Sequence, residues 1–331
     1  MRINKKVKLV VLGGGTGTFV ILSGLKKYSR QLDISAVVTM FDSGGSTGRL
    51  RDQLGVLPPG DLRQCLVALS RSDLIWRKLF LYRFDSGDLK GHNFGNLFLS
   101  ALEKITASYK EALDYCHVLL QCQGRVMPVT FDQAHLLAYY KSGKVINKEA
   151  EIDNYRNIND KILKIQLDRK VSVNKSAVAC LESAEFVILG PGDIYTSIVP
   201  VLLVPEIVQA IKNSKAKIVF FVNLFTKPGE THNFTAKDYV TTIEKYLQRS
   251  VDYIIINKEP IKKEIIEHYQ HYNSQVVTDD LGTDKRVIRA NLLSKRIIRQ
   301  SEADTVSRSL LRHSYTKTAK IILKIIKSTV L

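Results

Sequence analysis

The chain has 331 residues, of which 45% are hydrophobic and 24% charged, and its 49 Lys and Arg exceed its 32 Asp and Glu to leave a formal net charge of +17. This composition excludes a disordered chain, a collagen-like repeat and a small disulfide scaffold, because it supplies enough apolar residues for a sizeable core. The length allows two domains or one large α/β unit.

The first apolar run of the chain is shorter than the hydrophobic part of a signal peptide, and no stretch approaches the roughly 20 apolar residues that span a bilayer. The four cysteines form no CxxC pair; they are Cys65, Cys116, Cys122 and Cys180. We therefore expect reduced thiols in the core of a cytoplasmic protein. A metal site made by Cys116, His117 and Cys122 is a minor alternative, because the spacing matches no known zinc pattern.

Short β-branched runs alternate along the chain with longer helical patterns, which is typical of a parallel sheet with helices on both faces. The predicted strands are Lys8–Leu12, Ile34–Met40, Lys161–Leu167, Glu185–Leu189, Lys217–Val222, Tyr253–Asn257 and Gln275–Thr278. Most of them are continuous apolar runs, as expected for strands that are covered on both sides.

The middle of the chain departs from this alternation. Asp61–Arg83 and Phe94–Leu120 are predicted to be helical in succession, and Ala134–Tyr140 and Val145–Asn147 are predicted to form a hairpin around a Gly-containing turn. We expect a single α/β domain over residues 1–331, with an inserted α+β portion around residues 61–160.

A glycine-rich loop follows the first predicted strand and precedes a helical pattern over Phe19–Tyr28; it reads Gly13-Gly14-Gly15-Thr16-Gly17. Glycines let the backbone approach a ligand, and a helix N-terminus offers free N–H groups to phosphate, so the loop predicts a nucleotide site. Thr18 stands where the dinucleotide fingerprint has its third Gly or Ala, which weakens a nicotinamide oxidoreductase interpretation. A tight turn without a ligand is the structural alternative.

A second glycine loop follows the second predicted strand and carries Asp42, Gly44 and Gly45. Adjacent parallel strands would bring both loops to the same edge of the sheet. Asp42 could accept a ribose hydroxyl or help to hold a divalent cation, and Arg49 and Arg51 could neutralise phosphate. The alternative is a Gly/Ser loop with a capping Asp.

Three further polar loops precede predicted helices, at residues 58–63, 91–96 and 190–197. Asp61 and Asp193 are candidates both for helix N-caps and for ligands, and capping is the favoured role for Asp61. His92 is interpreted as a hydrogen-bonding residue at a helix entry, because no acid that would orient it as a general base is evident.

The basic excess is concentrated near the C-terminus, where residues 285–327 hold twelve Lys and Arg against two acids. We predict a basic helix around residues 304–329, with lysines on one face and Ala319, Ile322, Leu323 and Ile326 on another. The favoured interpretation is a docking helix with a solvated face. A membrane surface, nucleic acid or an acidic partner is the alternative, and the absence of aromatic residues between the lysines argues against nucleic acid.

Six motifs in this order resemble the YvcK family of gluconeogenesis factors within the CofD-like superfamily: GGGTG, DSGGSTGRLR, PPGDLRQCLVAL, GHNFGNL, LGPGDIYTSIVP and VNLFTKPGET. The similarity extends from about Val7 to Val240 and more weakly to the C-terminus. It implies a Rossmann-like CofD fold, a cytoplasmic location, possible self-association and protein partners in cell-wall or carbon metabolism.

The resemblance also implies a UDP-sugar ligand such as UDP-N-acetylglucosamine, bound by a regulator of carbon metabolism, cell-wall synthesis and cell shape. The implied nucleotide-binding residues are Gly13, Gly14, Gly15, Thr16, Gly17, Asp42, Gly44, Gly45, Asn96, Gly190, Gly192, Asp193, Thr196, Asn223, Thr226 and Lys227. Among them, Asn223, Thr226 and Lys227 would offer an amide, a hydroxyl and a cation to a base or diphosphate. A solvated loop lysine is the alternative for Lys227.

The chain departs from the usual pattern of this family at two positions. Ser43 stands where a second consecutive Asp is common, which weakens the expectation of a bound Mg²⁺. Ser314 stands where an Asp commonly follows Arg-His. No catalytic residue and no metal ligand set is assigned. The alternative function, from the enzyme class, is a CofD-like, Mg²⁺-dependent phosphoester transferase that uses a nucleotide-activated donor.

Overall fold

A central sheet of parallel strands dominates the computed structural model, which describes residues 6–71, 74–296 and 309–330. Within these ranges the strands are β1 (Val7–Gly13), β2 (Leu32–Val38), β3 (Arg125–Pro128), β4 (Leu136–Tyr140), β5 (Val145–Asn147), β6 (Ile162–Leu167), β7 (Phe186–Leu189), β8 (Lys217–Phe221), β9 (Tyr253–Asn257) and β10 (Val287–Ala290). Seven of them form the central sheet in the order β10-β9-β8-β7-β1-β2-β3, and β5-β4-β6 form a small antiparallel sheet.

The helices in the same ranges are α1 (Gly15–Leu25), α2 (Gly45–Leu54), α3 (Gly60–Leu69), α4 (Ile75–Leu81), α5 (Phe94–Thr106), α6 (Tyr109–Leu119), α7 (Glu149–Asn154), α8 (Lys175–Glu182), α9 (Val199–Leu202), α10 (Pro205–Asn213), α11 (Ala236–Leu247), α12 (Lys263–His271) and α13 (Tyr315–Val330). A 3-10 turn follows α1, and a π-helical turn over Ile194–Ile198 precedes α9.

Both faces of the central sheet are covered. Successive residues of a strand point to opposite faces, yet Leu9 to Leu12 in β1 and all four residues of β7 are buried. Only helices on both sides can bury every side chain of a strand, which explains the continuous apolar runs in the sequence. The predicted Rossmann-like α/β fold with a parallel sheet is therefore confirmed.

The strand order reverses direction between β1 and β7. From β1 the chain adds β2 and then β3 on one side, and from β7 it adds β8, β9 and β10 on the other. A crevice opens beyond the carboxyl ends of the strands at such a switch point, and ligands of open α/β sheets bind there. The loops after β1 and β7 thus border the expected site.

Five predicted strands are confirmed in the central sheet to within about two residues at each end, as β1, β2, β7, β8 and β9. Two predictions are wrong. Lys161–Leu167 forms β6, which pairs antiparallel with β4 outside the central sheet. Gln275–Thr278 forms no strand; its Val276 makes only an isolated bridge to Phe225. Two strands of the central sheet, β3 and β10, escaped sequence analysis because each has only four residues and, unlike the equally short β7, includes an exposed arginine that interrupts the apolar run.

The middle of the chain contains the predicted hairpin, since β4 and β5 pair antiparallel across the Gly143 turn. Each long helical prediction divides into two helices, α3 with α4 and α5 with α6. The second predicted helix is interrupted at Ser108, which is the N-cap of α6: its side chain accepts a hydrogen bond from the backbone N–H of Glu111. The portion around 61–160 is also interrupted by β3, which belongs to the central sheet.

The basic C-terminal helix begins at Tyr315, later than predicted, and positions 304–308 of that prediction lie outside the described residues. Its apolar face is buried through Ala319, Ile322 and Ile326, and Lys320, Lys324 and Lys327 are exposed. The helix is thus a docking helix with a solvated basic face.

The four cysteines are free thiols, and two of them, Cys65 and Cys116, are fully buried. His117 has no ring nitrogen left for a metal, because Nδ1 lies 2.8 Å from the Leu113 carbonyl oxygen and Nε2 accepts the N–H of Val126 at 2.8 Å. The minor metal alternative is therefore not supported.

In the described ranges, no helix on its own has the length and apolar character needed to cross a membrane. Two successive helical pieces, Ile194–Leu202 and Pro205–Asn213, meet these criteria only together, and they are bent by 73°.

We predict that Gly24→Ala destabilises the protein. A Cβ at Gly24 would collide with the Tyr315 carbonyl oxygen, so α1 and α13 would have to separate. Overpacking of this kind costs about 1–3 kcal/mol of unfolding free energy, measurable by urea unfolding. Ser23→Ala in the same helix is the control, because its hydroxyl has no hydrogen-bond partner and should be removable without loss. Equal stability of the two variants would contradict the close packing of α1 on α13.

Candidate functional site

A cleft of about 830 Å³ opens at the carboxyl edge of the central sheet. It is bordered by the loops that follow β1, β2, β7 and β8, by the starts of α2 and α3, and by α7 and α12. Fourteen of the sixteen predicted site residues line it: Gly14, Gly15, Thr16, Gly17, Asp42, Gly44, Gly45, Asn96, Gly192, Asp193, Thr196, Asn223, Thr226 and Lys227. Gly13 and Gly190 do not line the cleft and lie where the strands end behind it.

Two helices begin at the cleft from glycine-rich turns. The N-caps of α1 and α2 are Gly14 and Gly44, both in extended conformation and without a side-chain capping bond. The first N–H groups of a helix have no partner within the helix, and its N-terminus carries partial positive charge. The two turns therefore present backbone donors to an anionic group in the cleft.

The loops are held close together by contacts that only glycine permits. A Cβ on Gly14 would strike the carboxylate of Asp61, and a Cβ on Gly17 would strike the Pro191 carbonyl oxygen of the neighbouring loop. Asp61 lies in the first turn of α3, and the N-cap of that helix is Pro59. The favoured capping role for Asp61 is therefore wrong, and its carboxylate faces the first glycine loop instead.

Three predicted polar residues have internal partners. Asn96 accepts a hydrogen bond from Arg63 Nε at 2.7 Å and donates to Ser46 Oγ at 3.3 Å. Asn223 accepts from the Gly192 N–H at 3.1 Å, which ties the loop after β8 to the loop after β7. The Thr226 hydroxyl accepts from the Gln275 N–H at 2.9 Å. These side chains shape the wall of the cleft.

The arginines that face the cleft are not those expected from the second glycine loop. Arg51 is buried and donates to the Ala134 carbonyl oxygen at 2.7 Å, and Arg49 donates to the Lys90 carbonyl oxygen. Neither lines the cleft. Its guanidinium groups come from Arg63, Arg83, Arg156 and Arg312, which lie far apart in sequence.

His92 supports the start of α2 from behind. Its Nδ1 lies 3.1 Å from Ser46 Oγ, and it lies two positions before α5, so the helix-entry interpretation agrees with the structure. Burial, with the nearby Arg49 and Arg83, lowers the pKa of the imidazole below its ordinary value. It is therefore neutral at neutral pH.

Helix α7 brings carboxylates that sequence analysis missed. Glu149 Oε2 accepts the Ser43 N–H at 3.3 Å, and the Ser43 hydroxyl accepts the Ala150 N–H at 3.0 Å. Ser43 thus joins the second glycine loop to α7. Glu149 and Asp153 are four residues apart and share one face of the helix, a spacing that could have signalled a common site.

Glu149 and Asp42 form a coupled carboxyl pair. Burial raises the pKa of both, and each negative neighbour adds to the increase for Glu149. Two close carboxylates of this kind retain a shared proton at pH values where isolated ones are ionised. The pair can then both donate and accept a hydrogen bond.

Lys227 lies among three carboxylates at the other side of α7. Its ammonium forms ion pairs with Asp153, with Asp193 Oδ2 at 2.8 Å and with Glu230 Oε1 at 2.8 Å. Although burial opposes the charged form, Asp193, Glu230 and Asp153 raise the pKa of Lys227 well above its ordinary value. Burial raises the pKa of Glu230 to about 8. Asp193 precedes the π-helical turn, but its side chain makes no capping bond.

The far end of the cleft is aromatic. Phe225 and Tyr269 stack with ring centroids 3.7 Å apart and an angle of 9°, and Tyr272 lies nearby. Arg312 and His313 close this end; His313 is buried with an unpaired Nε2, and burial lowers its pKa to about 4. Sequence analysis had no signal for Tyr269 and Tyr272, because they lie on and directly after α12, whereas Phe225 lies in the VNLFTKPGET motif after β8.

We predict that Glu149→Gln changes how stability depends on pH. A carboxyl whose pKa is raised on folding stabilises the fold below its ordinary pKa of about 4.5 and loses that contribution as the pH rises through the raised value. The variant cannot ionise, so its Tm should match wild type at pH 4.5 and exceed it at pH 8. Exposed Glu267 supplies the control, Glu267→Gln. A difference that does not vary with pH would contradict the coupled pair.

Comparisons with known proteins agree with the fold. Residues 9–298 match the family model described as 2-phospho-L-lactate transferase CofD. A relative from Aquifex aeolicus (strain VF5) is 39% identical over 335 aligned positions, covering 99% of each chain. The protein named "Gluconeogenesis factor" from Bacillus subtilis (strain 168) is 34% identical, over 98% of this chain and 100% of its own.

A solved structure has the same fold. It is a UPF0052 family protein from Bacillus halodurans, with a TM-score of 0.87, 33% sequence identity, and coverage of 96% of this chain and 99% of its own. The chain therefore belongs to the CofD-like family, within its YvcK group of gluconeogenesis factors.

Proposed function

We propose that this protein binds a UDP-sugar such as UDP-N-acetylglucosamine in the main cleft and acts as a regulator of carbon metabolism, cell-wall synthesis and cell shape through protein partners. One observation carries the binding proposal: two glycine-rich helix starts open into a single cleft that ends at an aromatic stack. The relatives named as gluconeogenesis factors support the role in carbon metabolism.

The glycine end suits a diphosphate. The starts of α1 and α2 offer backbone N–H groups from two directions, and both helices are at least ten residues long. Gly15 has a φ of +61° and Gly45 a φ of +48°, a left-handed conformation that turns the backbone into each helix and that other residues rarely adopt. Each phosphate of a diphosphate can therefore accept hydrogen bonds from backbone N–H groups, and no lysine is needed for this.

The aromatic end suits a base. Tyr269 is half-buried and stacked on Phe225, so its ring is held rigid, and a planar base can pack against rings of this kind. The cleft volume of about 830 Å³ lies within the range of about 300–1,000 Å³ that is typical of small-molecule sites. A ligand that reaches from the glycine turns to the aromatic stack must combine phosphate with a base.

Two carboxyl groups of the cleft can form hydrogen bonds with the hydroxyl groups of a ligand. Asp42 and Glu149 together hold a proton donor and several acceptor oxygens beside the glycine turns. A sugar or ribose presents hydroxyls that both donate and accept, which matches this pair. These contacts favour a ligand that presents sugar hydroxyls, as a nucleotide-sugar does.

A transferase is the second candidate, because the matched family model carries a transferase description. Such an enzyme would need a divalent cation at the phosphates. Among the described residues beside the glycine turns, the carboxylates of Asp42, Asp61 and Glu149 could hold one. Metal dependence of binding therefore separates the two functions.

We predict that saturating UDP-N-acetylglucosamine raises the Tm of the purified protein, with or without Mg²⁺. A ligand at 100 times its Kd adds about 2.7 kcal/mol of stability. Asp42→Ala and Gly14→Val should lose this shift, the second because a side chain at Gly14 would strike Asp61. The control is Asp114→Ala, an exposed acid of α6 outside the cleft.

The outcomes separate the candidates. A shift confined to UDP-sugars and insensitive to Mg²⁺ supports the regulator. A shift that requires Mg²⁺, or that GDP produces instead, supports the transferase, and product formation from a nucleotide-activated donor would then be measured. A folded wild-type protein without affinity for any UDP-sugar contradicts the proposed ligand.

A further inference from the structure

Lys227 lies where three separate segments of the chain meet. Asp153 comes from α7, Asp193 from the loop after β7, and Glu230 from the same loop as the lysine. The Lys227 side chain is 18% exposed and that of Glu230 is fully buried. This environment excludes the alternative of a solvated loop lysine.

The three carboxylates have the arrangement of a cation site. Each supplies one oxygen, and these oxygens lie within 4.8 Å of one another. Hard divalent cations are bound by such groups of carboxylate oxygens. The lysine ammonium is a compact point charge with three N–H donors, and three acids surround it. It therefore supplies one positive charge at the position where a divalent cation would supply two.

Glu230 provides a second, independent observation. Neither of its carboxylate oxygens accepts a well-aligned hydrogen bond, although the residue is only 3% exposed. Oε1 lies 2.8 Å from the Lys227 ammonium as an ion pair. A buried carboxylate without a hydrogen bond thus faces the ammonium, at the position that a bound cation would take.

The same ammonium fixes α7 against the cleft. Its ion pair with Asp153 joins the helix to the loop after β8. Next to it, Gly229 approaches the Tyr155 carbonyl oxygen so closely that a Cβ would collide with it. Since α7 also carries Glu149, which contacts the second glycine loop, the lysine positions one whole wall of the cleft.

We propose that Lys227 is a built-in cation: its ammonium occupies a divalent-cation site formed by Asp153, Asp193 and Glu230, and it holds α7 in place without a metal. Lys227 is then a positioning residue and not the ligand of a base or diphosphate that the family resemblance implied, because its ammonium is paired with three carboxylates of the protein. Removal of the lysine should convert the cluster into a true metal site.

The test is the variant Lys227→Met, titrated with Mn²⁺ and followed by electron paramagnetic resonance of the free ion. We expect the variant to bind one more Mn²⁺ per chain than wild type. Without Mn²⁺ its Tm should fall by about 5–10 °C, because a buried ion cluster has lost its cation, and Mn²⁺ should restore it. Lys110→Met, at an exposed lysine paired with Asp114, controls for the substitution and should change neither value.

The double variant Lys227→Met/Glu230→Gln assigns the new site, since loss of one ligand should abolish the additional Mn²⁺. A Lys227→Met protein that binds no more Mn²⁺ than wild type overturns the proposal. So does one that fails to fold both with and without Mn²⁺, because a divalent cation would then not replace the ammonium. No nucleotide is present, so the result is independent of UDP-sugar binding.

Discussion

The parallel alignment of the seven central strands is the constraint on which the rest of the structure depends. Every strand of a parallel sheet ends at the same edge, so the loops after β1, β2, β7 and β8 meet, although β1 ends at Gly13 and β8 only at Phe221. The reversal of strand order between β1 and β7 then opens a crevice between two of these loops. The cleft is a consequence of this topology, and the glycines determine only how closely the loops approach.

Charge compensation controls the second wall of the cleft. Helix α7 brings Glu149 and Asp153 towards a region that already holds Asp42, Asp193 and Glu230. Five acids in one partly buried region would repel α7, because desolvation and like charge both disfavour ionised carboxylates. A shared proton reduces the repulsion between Asp42 and Glu149, and the Lys227 ammonium offsets part of the negative charge of the other three acids. Both the shared proton and the ammonium reduce the repulsion between carboxylates, and together they keep α7 in place.

Local patterns predicted the central strands well where apolar runs were long and ended in glycine, as at β1 and its loop. They failed where pairing partners decide the outcome. The residues of β6 have an ordinary strand composition, but the direction of pairing is decided by the neighbouring strand β4, with which β6 pairs antiparallel. Val276 has the composition of a strand residue, yet it forms only an isolated β-bridge with Phe225. Strand propensity identifies an extended segment and leaves its partner open.

By itself the sequence determined the α/β class, the glycine turns and most of the polar residues that line the cleft, because strand periodicity and turn chemistry are local properties. Only the tertiary structure decided which charges meet there. In the folded chain Arg51 donates to a backbone carbonyl oxygen, and Glu149 accepts the N–H of Ser43. Tyr269 of α12 lines the far end of the cleft, and acids from three segments surround Lys227. Such contacts join residues distant in sequence, and their electrostatic environment exists only after the chain has folded.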